Sequence, residues 1–360
     1  MSVALESRAS RIDGRDPVEA ALASLRAGRP VLVADDDDRE GEGDVVLPAA
    51  SASPEWTAWT VRHTSGLLCV PMEASRADEL DLPLMVQHNA DPLGTAYTVS
   101  VDAATGIGTG ISARDRARTA RVLADPASVA RDLTRPGHVL PLRARPGGVV
   151  ERAGHTEAAV DLCRLAGLPP VGVIAEVVTG PEIAGGGRTA NRREIAELGA
   201  RHEVPVLDVA DVVRYRYRHG DGLRARVTRG PRVTLPTTHG TFDAVGFRDE
   251  VTGAEHLALC VDPPATGLPV LAVHVECTAG DVFGGLGCGC RSGLDEALAA
   301  VADRGGAVLY LRGPATGGGA AGDAGAAASM IAGLGLSMSV LRPGPVSAAE
   351  LRACGTDVVG

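Results

Sequence analysis

The chain has no lysine; all 35 side chains counted as Lys or Arg are arginine. Without lysine there is no Schiff base to a carbonyl substrate, no anchored pyridoxal phosphate and no P-loop lysine, so those chemistries are excluded. Aromatic residues make up 2% of the chain against 45% hydrophobic, and its packing must rest on Ala, Val and Leu. Positive charge is also in deficit, the net charge being −10. That balance argues against nucleic-acid or membrane-surface partners, and any anionic ligand must be met by local arginines. No uncharged apolar run reaches spanning length, and the N-terminal MSVALESRASRIDGRD is charged and lacks an apolar h-region. Seven cysteines, an odd number in a chain of 360 residues, favour reduced thiols over a disulfide framework. The expectation is a soluble cytoplasmic protein, long enough for two domains that each bury a core.

Carboxylate is what the chain has in excess. Residues 31–46, VLVADDDDREGEGDVV, place seven acids, one arginine and two glycines between two strand patterns. Acids this dense repel one another unless a cation neutralises them. Gly41 and Gly43 let the backbone bend, so Glu40, Glu42 and Asp44 need not point the same way. Their oxygens suit a hard divalent cation such as Mg2+; the plainer alternative is a solvated acidic turn.

Local signals alternate helix with strand around this run, an α/β or α+β signature. Asp16 and Pro17 open a helix that runs to Gly28, and Ser53 with Pro54 opens another through Trp56 and Trp59 before the buried-strand pattern LLCV. After the polar loop beginning at His88, Thr95, Tyr97, Val99 and Val101 read as one face of a strand. A Gly/Thr-rich turn then leads to a helix at Ser112. Its amides are able to cradle a phosphate, though such a turn is more often just a turn.

Arg152, Gly154, His155 and Thr156 precede the helix AAVDLCRLAGL. A histidine at a helix N-terminus is disfavoured as imidazolium, and the neutral ring is the form that ligates metal. An isolated histidine is more often structural; Arg152 beside it makes this one a candidate. The strand VGVIAEVV carries Glu176, an acid that is costly in an apolar run unless paired or working. Seven arginines from Arg214 to Arg232, with Gly220, Gly222 and Gly230, read as an interdomain linker. Beyond it, Cys277, Cys288 and Cys290 have a C-x10-C-x-C spacing, able to set three thiolates on Zn2+ with one position open; three buried free cysteines are the alternative. The Gly/Ala-rich stretch 313–335 reads as loosely ordered.

Taken in order, DDDDREGEGD, HTSGLLC, HNADPLGTAYTVSVD, TGISARDRA, RPGHVLPLRARPGGV and RAGHTEAAVDLCRLAG resemble 3,4-dihydroxy-2-butanone 4-phosphate synthase over roughly residues 15–218. The resemblance implies a homodimeric Mg2+ or Mn2+ enzyme with a mixed-sheet fold. It would convert ribulose 5-phosphate to formate and the four-carbon phosphate through an enediol, a dehydration and a carbon-skeleton shift. It implies Glu40 and His155 as metal ligands and Arg39 with Asp44 as substrate contacts. The run Arg152, Ala153, Gly154, His155 and Thr156, together with Glu40 and Glu176, would bind the sugar phosphate. His138 and Glu176 fall on positions essential to catalysis. One departure is TGPEIAGGG after Glu176, where relatives carry a shorter turn.

Residues 233–360, after a linker at 219–232, resemble GTP cyclohydrolase II in GTFDAVGFRD, EHLAL, HVECTAGD and the three zinc-type cysteines. The expected fold there is a smaller, truncated α/β domain. Its departures are severe: Ala272 and Gly287 stand where the family has arginine, Gly289 where it has aspartate, and a segment holding its catalytic tyrosine is missing. Asp323 aligns with the family's catalytic acid, which leaves Gly325 at the position of its nucleophilic arginine. The expectation is therefore a synthase with an inactive second domain. A bifunctional enzyme that also opens GTP, and a non-catalytic regulatory homologue, are the alternatives.

Overall fold

The structure is a computed structural model that describes residues 16–35, 40–180, 186–219, 226–250, 252–262, 267–312, 320–336, 339–354 and 356–359. The chain divides into two compact units, Met1–Val213 and Arg214–Gly360.

In the first unit, helix α1 (Pro17–Arg26) starts where Asp16 Oδ1 accepts the Val18 amide at 2.9 Å and Pro17 presets the first turn. It buries Val18, Ala21, Leu22 and Leu25, one stripe at helical spacing. Strands β1 (Val31–Ala34) and β2 (Gly43–Pro48) pair antiparallel, from Val31 opposite Val46 to Ala34 opposite Gly43. The acid-rich run is therefore the connection of a hairpin. Helix α2 (Pro54–His63) is capped by Ser53 Oγ on the Trp56 amide at 3.2 Å. Strand β3 (Cys69–Glu73), helix α3 (Ala74–Glu79) and strand β4 (Val101–Ala103) follow. Ser112 Oγ caps helix α4 (Ala113–Ala124) on the Asp115 amide at 3.1 Å. Next come strand β5 (Leu133–Ala144), helix α5 (His155–Leu165) and strand β6 (Gly172–Glu176). Helix α6 (Arg192–His202) opens on an Asn191–Glu194 capping box, ahead of strand β7 (Val206–Asp208) and helix α7 (Val209–His219), within which the division between the units falls.

These strands form one mixed sheet of order β4-β5-β3-β6-β2-β1-β7, parallel at β1/β7 and β3/β5 and antiparallel elsewhere. All ten residues of β1 and β2 are buried. The register of β2 against β6 sets Asp44 directly opposite Glu176. The alternating strand expected around Thr95 to Val101 is mostly loop. Turn hydrogen bonds pin it, Asn89 Oδ1 accepting the Asp91 amide at 2.9 Å and Asp91 Oδ2 the Thr95 amide at 2.7 Å. Thr98 and Tyr97 then make single bridges to Leu84 and Leu142 rather than a ladder.

The second unit has strands β8 (Val227–Thr237), β9 (Gly240–Asp249), β10 (Glu255–Val261) and β11 (Val270–Val275), then helix α8 (Cys290–Arg304). Strand β12 (Gly306–Leu311), helix α9 (Ala320–Leu334), strand β13 (Ser339–Leu341), helix α10 (Ala348–Ala353) and strand β14 (Val358–Val359) complete it. Its sheet order is β14-β13-β11-β12-β10-β9-β8. Residues 227–232, read as linker from the arginine run, belong to β8. Much of the Gly/Ala-rich stretch expected to be loose is helix α9, with Ala324, Ala326, Ala327, Met330 and Ile331 in the core; residues 313–319 lie outside the described set. Small side chains let that helix approach the sheet closely, and alanine favours the helical backbone. No described helix is long and apolar enough to cross a membrane.

Leu32 is 0% exposed between β2 and β7. Leu32→Ala is expected to lower the stability of the first unit by about 2–5 kcal/mol, read as an earlier urea midpoint in the full chain.

Candidate active site

A cavity of about 230 Å3 opens at one end of the first sheet. The β1–β2 hairpin contributes Glu40 and Asp44, β6 contributes Ile174 and Glu176, and Cys69 and Leu142 come from β3 and β5. Arg152, His155 and Thr156 arrive from the N-terminus of α5, while Asp91, Leu93, Thr95 and Tyr97 come from the pinned loop.

His155 is the first residue of α5 and is 6% exposed. Its Nδ1 lies 3.8 Å from Asp44 Oδ1 and 4.0 Å from Glu40 Oε2. Asp35, Glu40 and His155 each offer a ligand atom, all within 4.8 Å of one another. Asp35 also closes the hairpin, its Oδ1 accepting the Glu42 amide at 2.9 Å. Asp44 Oδ1 is buried with no hydrogen-bond partner among the described residues. Burial, and then Glu176, Glu40, Glu42 and Asp35 around it, push the Asp44 carboxyl well above the usual carboxylate range. Converging oxygens, an imidazole nitrogen and a buried acid lacking a donor are the donor set of a hard divalent cation, and the residues fit one.

Glu176 Oε2 accepts from Ser65 Oγ at 2.8 Å. On the cavity floor Tyr97 and Cys69 hydrogen-bond to each other, and burial first, with Glu176 among the nearby groups, pushes each up to about 12. Both therefore stay protonated near neutrality. Gly154 caps α5 without a side chain, so the first-turn amides remain available to an anion. Thr156 is buried at that mouth and Ala153 is exposed.

Of the residues expected from the sequence, the structure brings Glu40, Asp44, Arg152, His155, Thr156 and Glu176 to this one cavity. Arg39 lies outside the described residues, as does most of the TGPEIAGGG departure. His138 is not among the lining residues. Its Nδ1 is 2.6 Å from Asp102 Oδ2, and its amide donates to Asp102 Oδ1 at 3.1 Å. A register shift between Val101 and Asp102 re-aims that acid, and Gly110 lies where any β-carbon would meet both Asp102 and His138. Sequence reasoning missed Asp35, Asp91, Tyr97, Asp102 and Glu157. The motif strings containing them were visible, but the contacts that give them roles are tertiary.

In the second unit, Cys277, Cys288 and Cys290 converge within 4.8 Å, Cys277 Sγ lying 3.7 Å from Cys288 Sγ. Gly280 walls this cup: a β-carbon there would come within 2.8 Å of Cys288 Sγ and 2.9 Å of Cys290 Cβ. Asp281 is fixed beside it by the Cys277 amide at 2.8 Å, the Tyr310 hydroxyl at 2.8 Å and His274 Nε2 at 3.0 Å.

Residues 19–215 match the family described as 3,4-dihydroxy-2-butanone 4-phosphate synthase, and residues 228–358 match GTP cyclohydrolase II. The riboflavin biosynthesis protein RibBA of Rhodococcus jostii is 49% identical over 304 residues, spanning 83% of this chain and 71% of that protein. The protein of the same name from Mycobacterium tuberculosis is 49% identical over 83% of this chain and 70% of its own. Among solved structures, RibBX of A. baumannii, a two-domain 3,4-dihydroxy-2-butanone 4-phosphate synthase, superposes with a TM-score of 0.76 at 31% identity, covering 93% of this chain and 96% of that one. A 3,4-dihydroxy-2-butanone 4-phosphate synthase in complex with two magnesium ions matches with a TM-score of 0.54 at 45% identity, over 57% of this chain and 99% of that one.

Because the Asp44 proton is held more tightly in the fold than in the unfolded chain, ionising it opposes folding. Metal-free protein should lose stability as pH rises upward from the unfolded carboxylate range, near pH 4. Asp44→Asn should remove that slope, and Mg2+ should raise the melting temperature of wild type more than of Asp44→Asn. Thermal melts across pH with chelator or Mg2+ check both; identical slopes would refute the buried-charge account.

Proposed function

The chain belongs to the 3,4-dihydroxy-2-butanone 4-phosphate synthase family, and we propose from that premise how its first unit works and what its second has lost. The first unit is the lyase that converts D-ribulose 5-phosphate to formate and 3,4-dihydroxy-2-butanone 4-phosphate in riboflavin biosynthesis. The observation that carries the mechanism is the register of β2 on β6, which turns Asp44 and Glu176 into facing acids in one cavity.

In this reading the sugar phosphate lies with its phosphate at the α5 N-terminus, where first-turn amides and Thr156 donate to it. Glu176, steadied by Ser65, takes the proton whose loss converts the ketose to its enediol and returns it later in the sequence. Asp44 contacts a substrate hydroxyl. Glu40 and His155, with Asp35 and Asp44 adjacent, would hold Mg2+ or Mn2+, whose positive charge would favour the enediolate over the ketone. Arg39 keeps its proposed role as a substrate contact.

His138 belongs to the reaction through a second copy of the chain. It is paired with Asp102 outside the cavity lining, and the loop beside the site carries Leu84, Met85, Val86 and Leu93 at 44–50% exposure. An apolar surface of that kind, next to a site lacking one of its expected groups, fits a homodimer in which each copy completes the other's cavity. Free thiols and a small water-soluble substrate fit a cytoplasmic enzyme.

We take the second unit to be inactive on GTP. Ala272 is buried in β11, and the space that a side chain at position 325 would need is filled by the Tyr217 hydroxyl and the Arg226 guanidinium. Arg226 is held there by Asp249, which is 0% exposed, at 2.8 and 3.0 Å. The three thiols converge as ligands of Zn2+ would, which with the cyclohydrolase family match supports the bifunctional alternative.

Purified protein given ribulose 5-phosphate and Mg2+ should release formate, and Glu40→Ala should cut the rate by about 100-fold or more. GTP should yield no pyrophosphate. Absence of formate from wild type would sink the synthase reading, and pyrophosphate release would restore the bifunctional one.

A further inference from the structure

Both oxygens of Asp102 are spent on one residue. Oδ1 accepts the His138 amide at 3.1 Å, and Oδ2 faces His138 Nδ1 at 2.6 Å. The acid's side chain is 8% exposed and the imidazole 42%, so one edge of the ring is held from inside the fold while the rest looks outward. Among the described residues, His138 Nε2 has no hydrogen-bond partner.

The backbone is shaped around this pair. The ladder between β4 and β5 slips between Val101 and Asp102, which turns the acid toward His138. Gly137, one residue before the histidine, lets β5 press onto that slip, because a β-carbon there would overlap the Val101 carbonyl and the Asp102 nitrogen. Ser100 Oγ accepts the Gly137 amide at 3.2 Å. On the other side Gly110 sits at φ +94°, where a β-carbon would overlap Asp102 Oδ2 and crowd His138 Nδ1. Asp115 Oδ2 holds the Gly110 amide at 3.2 Å. Helix α4 also brings up the buried Arg116; burial pulls its guanidinium down and the Asp102 charge works the other way, which puts the two within electrostatic reach. A pair whose whole task was to join β4 to β5 would not require two such close approaches, nor leave the far edge of the ring outward.

We infer that Asp102 is a positioning residue for the lyase reaction: it holds His138 with a proton on Nδ1 and the ring turned outward, so that Nε2 is the nitrogen that moves a proton on substrate bound by a second copy of the chain. The inference rests on the reading of His138 and of the homodimer given above. A carboxylate suits the task, since it accepts from the amide and the ring at once and steadies the imidazolium when Nε2 gains a proton. Asparagine has one acceptor oxygen for those two donors. With that oxygen on the His138 amide, its NH2 meets Nδ1 and drives the ring proton to Nε2.

The test compares the full chain with Asp102→Asn, both labelled with 15N-histidine, His138→Gln assigning the resonance. In wild type Nδ1 of His138 should carry a proton, and in Asp102→Asn that proton should move to Nε2. Asp102→Asn should lower kcat for formate release by about 100-fold while KM stays within about threefold. Coexpressed with Glu176→Ala it should recover about a quarter of wild-type activity, because half the dimers are mixed and each of those has one intact cavity of two. Coexpressed with His138→Gln it should recover no more than the separate proteins. A wild-type ring bare at Nδ1 would overturn the inference, as would rescue by His138→Gln, or near wild-type turnover of Asp102→Asn while His138→Gln is inactive. Should Asp102→Asn fail to fold, the wild-type ring decides alone. Normal turnover by His138→Gln removes the role given to His138 and the inference with it. If wild type releases no formate while the ring proton still follows Asp102, the synthase reading fails and the held ring stands.

Discussion

Repulsion among carboxylates is the constraint on which the first unit turns. Two adjacent strands set Asp44 against Glu176, the hairpin returns Asp35 and Glu40 to the same place, and burial keeps water from dispersing their charge. Asp44 responds by gripping its proton, since burial and its neighbours both oppose ionisation. Everything else about the cavity answers that concentration. The positive end of α5 points into it, His155 opens that helix beside the acids, and the fully buried β1–β2 pair holds the hairpin in place.

Local chemistry made much of this legible. Asp16 with Pro17, Ser53 with Pro54, and Ser112 each announce a helix start, and each caps one, because a capping bond spans only two or three residues. The acid run flanked by Val31 to Ala34 and by Val45 and Val46 was readable as a charged connection between strands for the same reason. The partners of those acids were not. That Asp44 faces Glu176 depends on a register set more than a hundred positions apart in the chain, and that Asp102 holds His138 depends on a bulge. Glu157 sat in a quoted motif, but nothing nearby in sequence says that it pairs with Arg152, whose guanidinium also reaches the Leu93 carbonyl.

Composition misled in two places, each for a physical reason. The Gly/Ala-rich stretch looked too featureless to order, yet methyl groups are what a helix needs to lie close against a sheet, as Ala324, Ala327 and Ala328 do. The arginine-dense segment looked like a solvated linker, yet Arg226 is buried against Asp249 and Tyr217, and the strand begins one residue later. Charge density alone does not separate a solvated tether from the start of a core. A partnered arginine can be buried where an unpartnered one cannot.

Every residue lining the cavity falls between positions 40 and 176, and the cation-type cluster reaches back only to Asp35. Among the described residues, the site is thus built from the first unit's own strands, loop and helix. The residues at which the second unit departs from the cyclohydrolase pattern, Ala272, Gly287, Gly289 and Gly325, all lie beyond Val213, so none of those departures removes a side chain from this cavity.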